Sequence, residues 1–327
     1  MYDKIKWWLP RTQGMSQFEH LKGVIKNDDQ DAYTTIDAAT GEVKVLFRGH
    51  LRNICVTEYL SGLSMCGSIN KYANSGANLI NMSLDETRET LSELQDSCQI
   101  DLMNAHVSAF EFGFNMPMES DVTRYLKLLG DMPRRIRKSV NDETLYYVRR
   151  GRERDTFTLY DKIRDAKKKK MAIPSEFDGK NMLRVELRYS NGIAALLKEH
   201  EVTGDTLTQR FFIDKLINNM CSMYDSIQKK NRVNIKNIEP DKKESEYLKL
   251  FVAVMATVAG DRFSIDDYMD ELKAQRVFKN KTQYTRLRNK LIAYTTNVPL
   301  CEGDPLKEEL DAKFEEIKDM VKIQTLI

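Results

Sequence analysis

Three separated segments of the chain alternate between apolar and polar side chains at every second residue. They are AFEFGFN at 109–115, TFTLYDK at 156–162 and LRVELRY at 183–189. A period of two is that of a β-strand, and one apolar and one polar side is typical of an antiparallel sheet with one covered face. The chain is therefore predicted to build such a sheet, with its polar face open to a ligand.

The remainder of the N-terminal part supports the same architecture. Residues 30–70 contain four further alternating runs, and residues 143–163 form a predicted hairpin around Gly151. Helices are predicted at 83–98, where Ser83 is a suitable N-cap, and near 118–132. We therefore predict that residues 1–200 form an α+β domain, an antiparallel sheet with helices on one face.

After about residue 200 the pattern becomes helical. Helices are predicted at 205–230, 244–260, 264–275, 280–294 and 305–324, so residues 201–327 are expected to form a helical domain. The stretch 264–291 contains two helical segments with basic residues on the second, including Lys281 and Arg286. It is consistent with a helix-turn-helix that binds DNA, and equally with an ordinary pair of amphipathic helices. The apolar residues predicted as its core are Tyr268, Met269, Leu272, Val277 and Leu287.

Several function classes are disfavoured by composition. The longest apolar run, LFVAVMATVAG at 250–260, is shorter than the ~18 to 20 residues of a membrane-spanning helix. The first residues lack the apolar stretch of a secretory signal, so a cytoplasmic location without a membrane partner is expected. The five cysteines include no C-x-x-C pair, which argues against a disulfide framework or a zinc site.

Charge is unevenly distributed along the chain. The net charge is only +2, but residues 124–188 contain 19 Lys and Arg against 10 Asp and Glu. A basic band of this kind attracts a polyanion, and binding through it weakens as salt rises. The band is also compatible with a solvated strand edge and its loops.

The polar sides of the three alternating segments carry groups suited to phosphodiester chemistry. If the strands are neighbours, Glu111, Glu186 and Asn115 offer the oxygen ligands that Mg²⁺ or Mn²⁺ prefers. Tyr160 is a potential nucleophile, and the Lys162 cation would favour its phenolate or stabilise a pentavalent transition state. Alternation alone favours a solvated sheet face with cross-strand charge pairs over a catalytic site.

The segments, taken in order, resemble a known family. TFTLYDKIRD, preceded by AFEFGFN and followed by LRVELR, is similar to the strands of phage and plasmid replication proteins of the filamentous phage gene II/X type. Upstream, GSINKYANSGAN resembles the family's Ser-x-x-Lys element leading to Gly-x-Asn, here Ser68, Lys71, Gly76 and Asn78. The agreement in order and spacing extends over residues 44–190.

The resemblance implies a rolling-circle replication initiator, an enzyme that nicks and rejoins DNA at a specific site. Tyr160 would attack the phosphodiester, form a covalent 5′-phosphotyrosine intermediate and free a 3′ hydroxyl, with Lys162 assisting. The resemblance also implies a metal cofactor, for which the ligands expected from the strand pattern are Glu111, Glu186 and Asn115, with Mg²⁺ or Mn²⁺ as the ion. The implied partner is origin DNA, single-stranded or supercoiled, with a host helicase and polymerase. The residues assigned to DNA contact are Arg184, Arg188, Lys71, Lys281 and Arg286.

The sequence also departs from the family pattern. Glu111 stands in Ser-Ala-Phe-Glu, where the family more often has Arg-hydrophobic-Asp, and the chain has no His-hydrophobic-His pair. Tyr146 and Tyr147, on the partner strand of the hairpin, are alternative nucleophiles. The functional alternatives are a non-catalytic DNA-binding initiator or repressor, and a transfer relaxase that forms the same adduct at a different site.

Overall fold

The computed structural model describes residues 1–11, 15–28, 33–36, 43–74, 78–149, 154–229, 265–296 and 304–322. The chain divides into two compact units. The first contains Met1–Lys229 together with Glu309–Ile327, and the second contains Lys230–Glu308. The predicted division into 1–200 and 201–327 stays a prediction, with residue 200 inside the range of the first unit.

The described strands of the first unit form one large antiparallel sheet. Its strand order is β2-β3-β4-β5-β1-β6-β10-β9-β8-β7. The strands are β1 (Tyr2–Pro10), β2 (Tyr33–Ile36), β3 (Val43–Leu51), β4 (Ile54–Tyr59), β5 (Gly62–Ser68), β6 (His106–Met118), β7 (Arg135–Val140), β8 (Thr144–Arg149), β9 (Asp155–Asp161) and β10 (Asn181–Ser190). The predicted strands between 30 and 70 and the hairpin at 143–163 are thus present, while the turn at 150–153 lies outside the described residues.

The apolar sides of the alternating strands form the core of the first unit. Phe110, Phe112 and Phe114 of β6 are almost completely buried, and their rings continue into a cluster with Tyr2. On the neighbouring strands, Leu183, Val185 and Leu187 of β10 and Phe157 and Leu159 of β9 are buried in the same way. Removal of this apolar surface from water is the main favourable term that holds the sheet against its helices.

Helices connect and cover the strands. They are α1 (Met15–Asp28), α2 (Ile69–Asn74), α3 (Leu84–Cys98), α4 (Val122–Leu128), α5 (Lys162–Lys168), α6 (Ile193–Leu197), α7 (Gly204–Thr208), α8 (Arg210–Ser226), α9 (Ile265–Ala274), α10 (Lys281–Thr296) and α11 (Pro305–Lys322). The predicted α+β class with a helical C-terminal region is confirmed. No helix in the described ranges is both long and apolar enough to cross a membrane.

Helix α3 illustrates how the sequence sets these boundaries. The Ser83 side chain accepts a hydrogen bond from the Glu86 amide, and the Glu86 carboxylate accepts one from the Ser83 amide. This capping box satisfies two N–H groups that the first helical turn leaves without partners. The predicted Ser83 cap is therefore confirmed.

The last helix returns to the first unit. In α11, Phe314 stacks on Tyr224 of α8 with ring centroids 3.6 Å apart, and Asp311 accepts a hydrogen bond from the Tyr224 hydroxyl at 2.5 Å. Because α8 ends at Ser226 and α11 begins at Pro305, the second unit occupies a stretch of sequence between two packed helices of the first.

The second unit contains α9 and α10 as a helical hairpin, and the predicted helix at 244–260 lies outside the described residues. The Tyr284 hydroxyl donates to the Leu272 carbonyl at 3.2 Å, and its ring meets Phe278 edge-on at 5.0 Å. The predicted core of this hairpin is only partly correct. Met269 is buried, whereas Tyr268 and Val277 are exposed. Phe278 and Tyr284, which contact each other edge-on, lie half-buried between the two helices instead.

Candidate active site

The three alternating strands are direct neighbours, with β10 between β6 and β9. In register, Arg184 pairs with Asn115 on one side and Tyr160 on the other. Two residues further along β10, Glu186 lies opposite Gly113 and Thr158. The polar sides of these strands therefore form one continuous surface.

Three carboxylates meet on this surface. Oxygens of Asp3, Glu111 and Glu186 all lie within 4.8 Å of one another. Their side chains are only 13%, 16% and 12% exposed, respectively. Glu111 and Glu186 were predicted to converge, whereas Asp3 was not recognised from the sequence.

A β-bulge in β1 accounts for the position of Asp3. Tyr2 pairs with Phe112 and Ile5 with Phe110, so two residues of β1, Asp3 and Lys4, face one residue of β6. The extra residue keeps Tyr2 among the buried rings while Asp3 lies beside Glu111 on the polar side. The only sequence signal for Asp3 was an acidic residue at the beginning of the alternating segment YDKIKWWLP. Alternation alone did not reveal the bulge that brings Asp3 beside Glu111.

The Arg184 guanidinium lies beneath the carboxylates. It donates to Glu186 at 3.1 Å and to the Asn115 side-chain oxygen at 3.2 Å, and it lies 3.6 Å from Asp3. With only 4% of its side chain exposed, Arg184 positions the carboxylates and presents no surface to DNA, in contrast to its predicted role as a DNA contact.

Asn115 belongs to the same buried layer. Its amide nitrogen donates to the carbonyls of Asn78 and Leu79, and its oxygen accepts from Arg184. The predicted role of Asn115 as a metal ligand stays a prediction, which the 4% exposure of Asn115 and the bond from Arg184 to its oxygen do not favour. Asp3 takes the third place in the carboxylate group instead.

Asn78 and Ser68, from the Ser-x-x-Lys element, support Asp3. The Asn78 amide donates a hydrogen bond to the Asp3 carboxylate, and Ser68 also hydrogen-bonds to Asp3. Ser68 in addition accepts from the Lys71 backbone amide at 3.2 Å, which places Lys71 at the start of α2 beside the cleft. Gly76 of the same element lies outside the described residues.

Tyr160 lies next to the carboxylate cluster. Its hydroxyl donates to a Glu186 oxygen at 3.4 Å. Burial, followed by the negative charge of Glu186, raises the pKa of Tyr160 well above its ordinary value. The phenol is therefore held protonated, and its ionisation requires additional positive charge nearby.

Lys162 places a positive charge near Tyr160, and it belongs to a helix rather than to the strand. Strand β9 ends at Asp161, whose carboxylate caps α5 by accepting from the Arg164 amide at 2.9 Å. Lys162, predicted to continue the polar side of β9, is the first residue of this helix, with its Nζ 5.8 Å from the centroid of the Tyr160 ring. Burial, then the charge of Arg184, lowers the pKa of Lys162 to about 8.

Burial and the mutual repulsion of the carboxylates oppose their ionisation. Burial and the Glu186 carboxylate raise the pKa of Glu111 to about 7, although Arg188 lies 3.1 Å away. Burial also acts against ionisation of Asp3, but Arg184 outweighs it and the pKa of Asp3 is lowered. Three converging carboxylate oxygens that repel one another fit a hard divalent cation such as Mg²⁺ or Mn²⁺.

The two neighbouring tyrosines of β8 lie on opposite faces. Tyr147 is completely buried on the apolar side and donates to the Gly130 carbonyl at 2.9 Å, so it is not available as a nucleophile. Burial raises the pKa of Tyr147 to about 12. Tyr146 lies on the polar side, opposite Thr158, and lines the same cleft as Tyr160.

The remaining predicted DNA contacts are distributed over both units. Arg188 lies at the rim of the cleft, its side chain 57% exposed and paired with Glu111. In the second unit, Lys281 and Arg286 are exposed on α10. No histidine belongs to the carboxylate cluster, and His106 is an exposed residue 3.7 Å from Glu201.

Comparisons with known proteins identify the family. Residues 1–208 match the family model for the N-terminal region of the replication-associated protein of the phage gene II type. A solved structure of a rolling circle replication initiator protein from Geobacillus stearothermophilus is 10% identical, with a TM-score of 0.33, over 75% of this chain and 89% of that chain. No curated protein sequence matches significantly. Since the family model covers well over half of the chain, the chain belongs to this replication-associated protein family of phage and plasmid rolling-circle replication initiators.

Proposed function

We propose that the chain is a metal-dependent, site-specific DNA nicking and rejoining enzyme that uses Tyr160 to form a covalent 5′-phosphotyrosine intermediate. The observation that carries this proposal is the contact between the Tyr160 hydroxyl and Glu186, one of three carboxylates that converge in the cleft. A tyrosine beside a cation-binding carboxylate cluster suits phosphodiester transfer better than it suits simple DNA binding.

The proposed first step transfers the phosphodiester to the protein. The Tyr160 oxygen forms a bond to phosphorus, and the bond between phosphorus and the 3′ oxygen breaks. The phenolic proton leaves towards Glu186, which accepts its hydrogen bond, and the departing 3′ oxygen takes up a proton from water. The Lys162 cation stabilises the negative charge that develops on the phosphoryl oxygens. The products are a 5′-phosphotyrosine and a free 3′ hydroxyl.

The cation would be held by Asp3, Glu111 and Glu186, with Arg184 fixing two of them from below. Bound there, Mg²⁺ or Mn²⁺ supplies Lewis-acid polarisation of the phosphodiester and positive charge that favours the phenolate. The protein's own contribution is to orient Tyr160 and to keep the carboxylates together. Attack of a 3′ hydroxyl on the phosphotyrosine reverses the first step and rejoins DNA without an external energy source.

Within this proposal the partners are origin DNA and the host helicase and polymerase that extend the free 3′ hydroxyl, and the site of action is the cytoplasm. The basic residues at the rim of the cleft and on α10 provide the charge for DNA binding. Charge of this kind acts on the phosphates of any DNA, so it supplies affinity and leaves the choice of origin sequence to contacts with the bases.

Substitution of Tyr160 tests the proposal directly. The full chain is incubated with supercoiled DNA carrying its own replicon and with Mg²⁺ or Mn²⁺, and the nicked product and a protein–DNA adduct are measured on a denaturing gel. We expect Tyr160→Phe to abolish the adduct and retain DNA binding, because only the nucleophilic oxygen is removed. Mass spectrometry of the wild-type adduct should locate a 5′ nucleotide on the peptide that contains Tyr160.

Tyr59→Phe is the matched control, since Tyr59 is exposed on β4 and does not line the cleft. An adduct that persists in Tyr160→Phe would reject the assignment, and its loss in Tyr146→Phe would move the nucleophile to Tyr146. DNA binding without any nick, with either cation, would favour the alternative of a non-catalytic initiator or repressor.

A further inference from the structure

The cleft that contains Tyr160 extends well beyond the carboxylate cluster. Its volume is about 560 Å³, and it continues across the polar side of β9, β8 and β7. The carboxylates used in the catalytic chemistry proposed above lie at the end of the cleft on β1, β6 and β10, with Tyr160 on the adjoining strand β9. The other end has no role in that chemistry and is large enough for part of a ligand.

The two ends differ in charge. We call the second end the β7–β9 surface; its lining residues are Lys138, Val140, Thr144, Tyr146, Val148, Thr156 and Thr158. None of these is acidic. Asp3, Glu111 and Glu186 line the other end, and Asp165 of α5 lines the cleft outside the β7–β9 surface. A polyanion that extends from the carboxylate cluster over the β7–β9 surface therefore meets no carboxylate of that surface.

Tyr146 lies at the centre of this surface. It stands between Thr158 of β9 and Lys138 of β7, and it is a diagonal neighbour of Tyr160, which pairs with Thr144. Its neighbours in sequence, Leu145 and Tyr147, are buried on the opposite side and fix the strand. The short Thr158 side chain lies between Tyr146 and Glu186 in the same row, so a planar group can lie on the sheet there.

We propose that Tyr146 is a stacking platform for an unpaired nucleobase of the DNA strand next to the scissile phosphate, with Lys138 beside the adjoining phosphate. This inference rests on the proposed function for the position of the scissile phosphate. An aromatic ring on an acid-free surface with a lysine beside it provides the two interactions that bind single-stranded DNA, stacking and charge. A paired base within a duplex has both faces covered by its neighbours and cannot stack in this way.

The test measures base stacking separately from cleavage. Binding is measured in the Tyr160→Phe background without divalent cation, so that no adduct forms, and excess unlabelled duplex saturates any surface that binds duplex DNA. The probes are a thymidine oligonucleotide and an abasic oligonucleotide with the same number of phosphates. We expect the thymidine probe to bind about 5- to 100-fold more tightly, which corresponds to one stacked base.

The variants then locate the platform. Tyr146→Ala should reduce this preference to nearly equal binding, whereas Tyr146→Phe should retain it, because the ring stacks without its hydroxyl. Lys138→Ala should weaken both probes equally and lower the salt slope by about 0.7. The proposal is overturned if the wild-type ring gives no preference, if Tyr146→Ala keeps it, or if Tyr146→Phe loses it. Failure of the proposed function would show separately, as the absence of an adduct in a chain that retains Tyr160.

Discussion

Arg184 is the residue on which the arrangement of the carboxylates depends. It contacts Glu186, Asn115 and Asp3, and unlike Arg188 it is buried together with them. Burying a charge is costly unless it is paired, and removing one partner of a buried pair leaves the others uncompensated. The cluster without Arg184 is therefore a group of repelling carboxylates.

Arg184→Met is accordingly expected to lower the free energy of unfolding by about 3 to 5 kcal/mol at neutral pH without divalent cation. Arg188→Met is the matched control. Arg188 also pairs with a carboxylate of the cluster, Glu111, but its side chain is 57% exposed, so about 1 kcal/mol or less should be lost. Urea denaturation followed by circular dichroism measures both.

Addition of Mn²⁺ separates a role at the metal site from a general loss of packing. A cation that binds the carboxylates of the folded state stabilises that state, so Mn²⁺ should recover part of the loss in Arg184→Met. An Arg184→Met variant that is no less stable than Arg188→Met would contradict the role assigned to this arginine.

At the scale of elements, the close approach of β6 and β10 determines where Glu186 lies. Gly113 stands opposite Glu186, and a Cβ at residue 113 would overlap the carbonyl oxygen of Val185. The glycine therefore permits the strand spacing that keeps Glu186 between Glu111 and Tyr160. A larger residue would separate the strands at that point.

Gly113→Ala should destabilise the protein by about 1 to 3 kcal/mol and slow adduct formation, since the strands cannot close without strain. Gly23→Ala in α1 is the control, because nothing lies within 4 Å of the added Cβ and alanine favours a helix by up to about 1 kcal/mol. Thermal unfolding and the rate of adduct formation measure the two effects. Equal behaviour of the two variants would show that strand spacing at Gly113 does not matter.

The same elements show which parts of the site the sequence could predict. Alternation placed Tyr160, Glu186 and Glu111 on one face, because the side-chain period of a strand is independent of its partners. The position of Asp3 depends on a bulge in β1, and that of Lys162 on the capping of α5 by Asp161. Bulges and caps arise from how strands and turns meet in space, so the pattern of a single segment does not specify them.

The roles of Arg184 and Asn115 were beyond prediction for a related reason. Each lies on the polar side of its strand, where alternation predicts contact with solvent or ligand. In the structure both are buried, since Asp3 from β1 and the backbone of Asn78 and Leu79 cover them. Burial on the polar side of a sheet is a property of the assembled fold.

At the scale of the whole molecule, the chain combines two units, each with a surface that we predict to bind DNA. The first presents a cleft with carboxylates and a tyrosine, and the second presents the hairpin of α9 and α10 with exposed Lys281 and Arg286. The function of the second unit as a duplex-binding module remains a prediction. The two activities are expected to be separable by substitution.

Lys281→Ala combined with Arg286→Ala should weaken binding to a short duplex and reduce the salt slope by about 2, because two phosphate contacts are lost. Adduct formation on a single-stranded substrate should be retained, since neither residue lines the cleft.

Arg124→Ala combined with Lys127→Ala on α4 is a control of equal charge, as both residues are exposed and lie outside the cleft lining. Duplex binding at several salt concentrations measures the slope, and an equal change in both double variants would show that overall charge, not α10, binds the duplex.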